Sequence, residues 1–521
     1  MNSKSVSAIG VGWLILGAFA VLWFCFFAWM PPQPGGPDVF VFRDAGCNWA
    51  HGDGLVAASV PHANTVRPML FASYTPGALL LFGVAASLFG CAGPVDTFYN
   101  LALAAAAVFL LYHCFSLAVT SRWQRICAAL LLGAILPTGM VAFDSDRPEL
   151  PAFCLLVAIL LVWRRAHSVT ARSLLFAAVG LVFLIHPFAG IVGWLLLAFL
   201  LPFSEHAWTS RLQVLTVGST LYALIVAAWL IAMWSQDHTA VHRFLQHAAG
   251  QGTGAGVVLH GAKATDEQST PVVHNGYAVA FRQLFNPAFP ASASLAISLF
   301  LSGLLVATYA FRGPGRARLL LQCAFLVFVL LIFPLAVFPA QTNYLGISRA
   351  LLLAVLFIGG FPLASALRGS VAPLALILIG FVFMAPWVGL QMLQGVDARA
   401  SYYSEQGQAK RVRAFFEQRG MRNPALLVDS GHYFVYKPYF PNLYNRNYLE
   451  AGDPTEQYQG LIHCYSGSRA FSRAQLPWDT TLKADEWRLI DGGEQVVRVA
   501  LFGHPIMRRN WTWMCDVYAR Q

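Results

Sequence analysis

The stretch Met69–Gly90, MLFASYTPGALLLFGVAASLFG, decides how the chain is threaded. It is apolar and long enough to cross a membrane, yet Pro76 and two glycines interrupt it. Whether it crosses sets the side of everything that follows. The surroundings leave no doubt about the medium. The 521 residues are 57% hydrophobic and only 11% charged, and several runs exceed the roughly 18 apolar residues of a membrane-spanning helix. The composition defines a polytopic α-helical membrane protein and excludes a soluble enzyme or a nucleic-acid binder, although the net charge is +10.

Apolar runs lie near 9–30, 69–90, 97–120, 126–143, 150–164, 173–185, 187–203, 213–234, 290–311, 318–339, 348–367 and 372–392. The first has no small-x-small cleavage site before Pro31-Pro32 and reads as a retained helix. If all twelve cross, starting with Lys4 inside, Arg122, Arg125, Arg164, Arg165 and Arg172 fall outside and the positive-inside rule is inverted. If 69–90 dips in and returns, these arginines become cytoplasmic, together with Arg211, Arg312, Arg316, Arg318 and Arg368. The acids outside the tail then become extracytoplasmic, except Glu205. Eleven spans follow. The tightest place is 173–203, where His186-Pro187 must turn the chain between two short helices.

The expected organisation is a transmembrane domain over 1–392 and a small extracytoplasmic α/β domain over 393–521. The first includes an external loop at 31–96, with its re-entrant segment, and another at 235–289. In the tail, QAKRVRAFFEQRG has helical periodicity and stops on Gly420, while ALLVDS, GLIHCYS, WRLI, VVRVALF and WTWMCDVYAR read as strands. Cys25, Cys114, Cys127, Cys154 and Cys323 lie in apolar runs and read as core residues. Cys464 and Cys515 are either a disulfide of an oxidising periplasm or two free thiols.

Charge is concentrated in Phe143–Leu150, FDSDRPEL. With the topology above, Asp146, Arg147 and Glu149 reach the same external face as Asp38 and Asp44 of the first loop. Carboxylates gathered at one membrane face suit acid–base or cation-binding chemistry. Loop acids placed there by the charge bias alone are the plainer explanation, preferred for Asp53 in HGDG. His238, His242, His247, His260 and His274 have no recognised zinc spacing and read as solvated loop histidines.

These motifs resemble the GT-C superfamily of integral membrane glycosyltransferases, in the branch of protein O-mannosyltransferases and lipid A aminoarabinose transferases. An Asp after the first helix (Asp38), a small-residue helix ending in a polar-Gly turn (AGCNWAHGDG) and an aromatic-Pro segment (Tyr74, Pro76) follow in the family's order. DRPELPAFCLLVAILLVWRR is similar to the family's Arg-Pro-acid helix start, with Glu149 where Asp is common. FLIHPFAGIVGWLLLAFLL is similar to its His-Pro or Lys-Gly-Pro turn. The family's Asp-Glu pair is missing, since Val39 follows Asp38.

The resemblance implies transfer of a hexose or pentose from a polyprenyl-phosphate-linked donor to a lipid, glycan or protein acceptor. The reaction would take place at the external face of the bacterial inner membrane, inverting and with no required cofactor. Asp38 is then the base, with Asp44 in poorer register. Asp146 and Glu149 orient hydroxyls or hold a divalent cation, and Arg147 binds phosphate or orders those acids. Arg349 in PAQTNYLGISRALLL is the second phosphate ligand, beside Asn343 and Tyr344, unless it snorkels. Tyr74 and His186 join the substrate-binding set, although a His-Pro pair also serves simply to break a helix. His274–Tyr277, HNGY, lies in the loop that covers the active site in the resembling enzymes. The competing classes are a secondary transporter, disfavoured by acids at one face rather than at the midplane, and a lipid-linked glycan polymerase or ligase. The latter relies on Arg-rich external loops, whereas 31–96 has only Arg43 and Arg67.

Overall fold

The structure is a computed structural model. It describes residues 37–55, 75–91, 95–115, 148–203, 207–236, 405–429, 432–446, 456–466, 486–492, 500–501, 504–505 and 513–521, with the single positions 122, 126 and 241. The runs at 9–30 and 290–392, and 127–143, lie outside the described residues.

The first described helix, α1 (Pro37–His51), ends where the sequence supplies glycine. Gly52 has φ +92°; its N–H donates to Trp49 O at 3.0 Å, and Asp53 N–H donates to Asn48 O at 2.9 Å. This is a Schellman stop, which needs the left-handed backbone that glycine adopts freely. The next helix, α2 (Pro76–Phe89), opens on proline at its first position and stops at Gly90. Its 14 residues make about 21 Å, against a hydrocarbon layer of about 30 Å. The two helices meet backbone to backbone. A methyl on Gly46 would lie 2.9 Å from Leu79 O, and one on Gly83 would lie 2.6 Å from the Trp49 ring. Small residues permit this approach. A disulfide between Cys47 and Cys91 staples the pair.

The bundle follows as α3 (Val95–Phe115), α4 (Glu149–Arg165), α5 (Val169–Ile185), α6 (Pro187–Leu200) with a 3-10 turn at Leu201–Phe203, and α7 (Trp208–Gln236). Helix α7 has 29 residues. Among the described residues it alone is long and apolar enough to cross a membrane by length and composition. Helices α4 and α5 form an antiparallel hairpin. Ser168 caps α5 by accepting from Ala171 N–H at 3.1 Å. Arg172 donates to Ala166 O at 2.8 Å and lies 5.0 Å over the Trp163 ring. Helix α6 returns along α5: Gly190 sits on the backbone of Phe183, and Gly193 on Val179 and on Leu156 of α4. Helix α7 runs beside α5 in the same direction, with Gly218 on Phe176 and Gly180 on Ile225. One end of the bundle therefore carries Arg164, Arg165 and Arg172. The other carries Glu149, the His186-Pro187 turn and the start of α2, where Gly77 abuts Leu184 O and Ile185.

In the tail, α8 covers residues 405–418 and stops at Gly420, φ +76°. Gly420 N–H donates to Glu417 O and Met421 N–H to Phe416 O, both at 3.0 Å, a second Schellman motif. The strands are β1 (Leu426–Val428), β2 (Leu443–Asn445), β3 (Gly460–Ser466), β4 (Trp487–Gly492), β5 (Ala500–Leu501), β6 (His504–Pro505) and β7 (Trp513–Arg520), with a helical turn α9 (Tyr433–Tyr436) after β1. Five of them form one mixed sheet in the order β2-β1-β3-β7-β4. β1 is parallel to β2 and β3, and β7 is antiparallel to β3 and β4. Ala409, Val412 and Phe416 of α8 pack on Val428, Ile462 and Val517. Leu427, Leu461, Trp487 and Tyr518 fill the opposite face. Cys464 and Cys515 face each other in register and are joined as a disulfide with a Cα–Cα distance of 4.0 Å.

Candidate active site

Asp38 is the second residue of α1, where the helix dipole favours a carboxylate. Arg43 and Asp44, further along α1, are both buried. Arg43 donates from Nη2 to Cys91 O at 3.1 Å, and its guanidinium lies 4.0 Å over the Phe434 ring of the tail. Asp44 acts on Lys437, the residue that ends α9. Burial draws the Lys437 ammonium below its ordinary pKa, and the Asp44 carboxylate opposes this without cancelling it. Lys437 Nζ also donates to Pro441 O at 2.9 Å. Asp44 is thus a buried carboxylate whose field reaches the tail.

Glu149 is the first residue of α4, 3% exposed, with Pro148 at the cap. It shares its end of the bundle with His186. That histidine is buried and caps α6 by accepting from Ala189 N–H on Nδ1 at 3.2 Å. One ring nitrogen is committed to the turn, so the helix-breaking role of His186 is realised. The structure brings together Glu149, His186, the start of α2 and, through α2, the helix that carries Asp38. Asp146, Arg147, Tyr74, Asn343, Tyr344, Arg349 and the loop holding His274–Tyr277 lie outside the described residues.

Two buried polar groups in the tail have no counterpart in the motif reading. Asp429, at the end of β1, accepts from Arg446 Nε at 2.7 Å, His463 Nδ1 at 2.9 Å and Cys464 N–H at 2.7 Å. Burial would raise its pKa, but the Arg446 guanidinium, the His463 ring and the Cys464 N–H outweigh burial and hold the carboxyl well below the usual range. In the second group, His432 Nδ1 lies 2.8 Å from Glu405 Oε2. Burial would lower the histidine's pKa, and the Glu405 carboxylate overrides it and holds it above the ordinary value. Nearby, Tyr436 donates to Gln408 Oε1 at 2.9 Å, and Gln408 Nε2 donates to Cys515 O at 2.8 Å. The possible ligand atoms of His432, Cys464 and Cys515 lie within 4.8 Å of one another. Both sulfurs are tied up in the disulfide, so this trio offers a metal no thiolate.

No family model matches the chain, and no curated protein matches it. The match is one of shape: solved structures with the same overall fold are found over nearly the whole chain. The particular neighbour is ArnT, a lipid A aminoarabinose transferase. The crystal structure of ArnT from Cupriavidus metallidurans bound to undecaprenyl phosphate aligns over 97% of this chain and 98% of its own, with 13% identity and a TM-score of 0.53. Its apo state aligns over 98% of both chains, with 14% identity and a TM-score of 0.47.

Proposed function

We propose that the protein is an integral membrane glycosyltransferase that takes a sugar from a polyprenyl-phosphate carrier at the outer face of the inner membrane. The observation that carries this reading is the likeness, over nearly the whole chain, to an ArnT structure that holds undecaprenyl phosphate. The sidedness has its own support. The two disulfides among the described residues each suit an oxidising compartment. The Arg43–Phe434 contact joins the unit that contains one to the unit that contains the other. The arginines at the opposite end of the bundle then face the cytoplasm, as the positive-inside rule requires. This agrees with an extracytoplasmic tail.

In the proposed reaction the acceptor oxygen attacks the anomeric carbon opposite the phosphate. The new C–O bond forms as the sugar–phosphate bond breaks, and the electron pair leaves with the phosphate. Asp38 takes the acceptor proton, and the configuration inverts. Arg349 and Arg147 neutralise the departing phosphate with guanidinium forks. Glu149 and Asp146 orient hydroxyls or hold a divalent cation. Asp44 serves the packing of α1, and His186 shapes the wall of the site. The acceptor is a lipid, glycan or protein.

Binding of undecaprenyl phosphate to the purified protein tests the donor half, with undecaprenol as the phosphate-free control. The wild type should prefer the phosphate, Arg349→Ala should weaken it by about tenfold or more, and Arg349→Lys should restore it only in part. Equal binding of undecaprenol and undecaprenyl phosphate would sink the reading.

A further inference from the structure

The turn α9 is fixed on both sides. Within the tail, His432 is bound to Glu405, Tyr436 to Gln408, and Lys437 to Pro441 O. Gln408 in turn reaches the backbone of Cys515, a disulfide residue. The turn is therefore locked to the sheet and to α8 by buried contacts. Its outward side meets α1: the Phe434 ring lies beneath Arg43, and Lys437 lies in the field of Asp44. Arg43 is buried, so its contact with Phe434 is packed and not a surface encounter.

Helix α1 is held from below as well. Gly46 sits on α2, and Cys47 is bonded to Cys91. Arg43 also donates to Cys91 O, so it clamps the staple and the tail together. Asp38 lies five positions before Arg43 on the same helix, about 7.5 Å along its axis. A rigid helix pinned at 43, 46 and 47 fixes where its first turn lies.

We infer that Phe434 of the tail is a positioning residue for the reaction: it docks on Arg43 and so aims the Asp38 end of α1 at the bound donor. The inference rests on the glycosyltransferase reading for its catalytic consequence, but the docking is separately measurable. A cation over an aromatic face needs the ring and not merely its bulk. Phe434→Leu removes the face and keeps an apolar side chain, whereas Phe434→Tyr keeps the face.

The test uses the full-length protein, with lipid-linked sugars extracted from its native membrane as donor. Hydrogen exchange of residues 37–51 reads the docking, and kcat and donor KM read the consequence. Phe434→Leu should expose α1 to exchange and lower kcat by about tenfold or more, while donor KM and undecaprenyl phosphate affinity stay within about twofold. Phe434→Tyr should restore both. Arg43→Gln, which removes the cation from the other side of the contact, should move exchange and kcat in the same direction, and it serves as the deciding variant if Phe434→Leu loses the Cys464–Cys515 disulfide. Unchanged exchange in α1 would overturn the docking. Changed exchange with unchanged kcat, or a rise in KM in place of the fall in kcat, would overturn the positioning role. A wild type that transfers no sugar would overturn the glycosyltransferase reading and the positioning role, and the exchange measurement would still decide the docking.

Discussion

Replacing Asp429 with Asn removes the one carboxylate that answers Arg446, His463 and the Cys464 N–H together. The side chains of Arg446 and Asp429 are only 16% and 13% exposed, so solvent does little to rescue the orphaned guanidinium. Breaking such a pair from one side costs about 3–5 kcal/mol, and the lower end suits a group with some access to water. For a folding unit of about a hundred residues, 3 kcal/mol lowers the melting temperature by about 12 °C or more. The pH dependence has a definite sign. The folded carboxyl is held below its unfolded value of about 4, so the unfolded chain takes up the proton first. Stabilisation is complete above the unfolded value and drains away as pH falls through the folded one. The Asn variant should lack that acid-side loss. The assay is hydrogen exchange of β3 and β7 in the full-length protein in detergent, followed against temperature at neutral pH and again in acid. A shift below about 2 °C, or an acid slope equal to that of the wild type, would refute the buried-pair argument.

Peptide mapping without reduction, on protein alkylated in its native membrane, should recover the linked pairs Cys47–Cys91 and Cys464–Cys515. Label on Cys47 would contradict the staple. Gly83→Ala places a methyl 2.6 Å from the Trp49 ring and 2.9 Å from Gly46 O. It should push α1 off α2 at about 1–3 kcal/mol, visible as faster exchange in 37–51, and unaltered exchange would mean that the helices pack otherwise. Glu405 holds the His432 pKa above its ordinary value, so that bond stabilises the tail below about pH 6.5 and is lost as pH rises through the raised value. Melting of wild type and Glu405→Gln across that range should converge at the alkaline end, and parallel curves would remove the ion pair from the account.

Much of the local structure was legible because its signals are local. Gly52 and Gly420 end their helices where the sequence places them. His186-Pro187 turns the chain, and the strands at 426–428, 460–466 and 513–520 fall within the runs read as strands, while that at 487–492 overruns its run by two residues. β2 escaped because an edge strand of three residues, Leu443–Asn445, carries no alternation to detect. The Cys47–Cys91 pair escaped for a different reason. Its partners are brought together only when Gly46 and Gly83 let α1 and α2 touch, and glycine spacing alone does not announce that contact. Arg43 counted in the sequence only as one of two arginines in the first loop. Its seat between Cys91 O and the Phe434 ring depends on a tail that lies hundreds of residues away. Likewise Asp429 and Arg446 follow β1 and β2 while His463 lies in the middle of β3, and only the sheet order makes them neighbours.

The central claim is a carboxylate-assisted transfer from a polyprenyl-phosphate sugar, and turnover by Asp38→Asn tests it most directly. Asparagine keeps the size of the side chain and most of its hydrogen bonding but cannot take a proton. With lipid-linked sugars from the native membrane as donor, the variant should bind undecaprenyl phosphate as the wild type does and lose about 100-fold or more in transfer. Asp44→Asn should lose less. If Asp44→Asn is inactive while Asp38→Asn transfers normally, the base has been assigned to the wrong residue of α1. Full transfer activity in Asp38→Asn, Asp44→Asn, Asp146→Asn and Glu149→Gln alike would contradict the carboxylate mechanism itself.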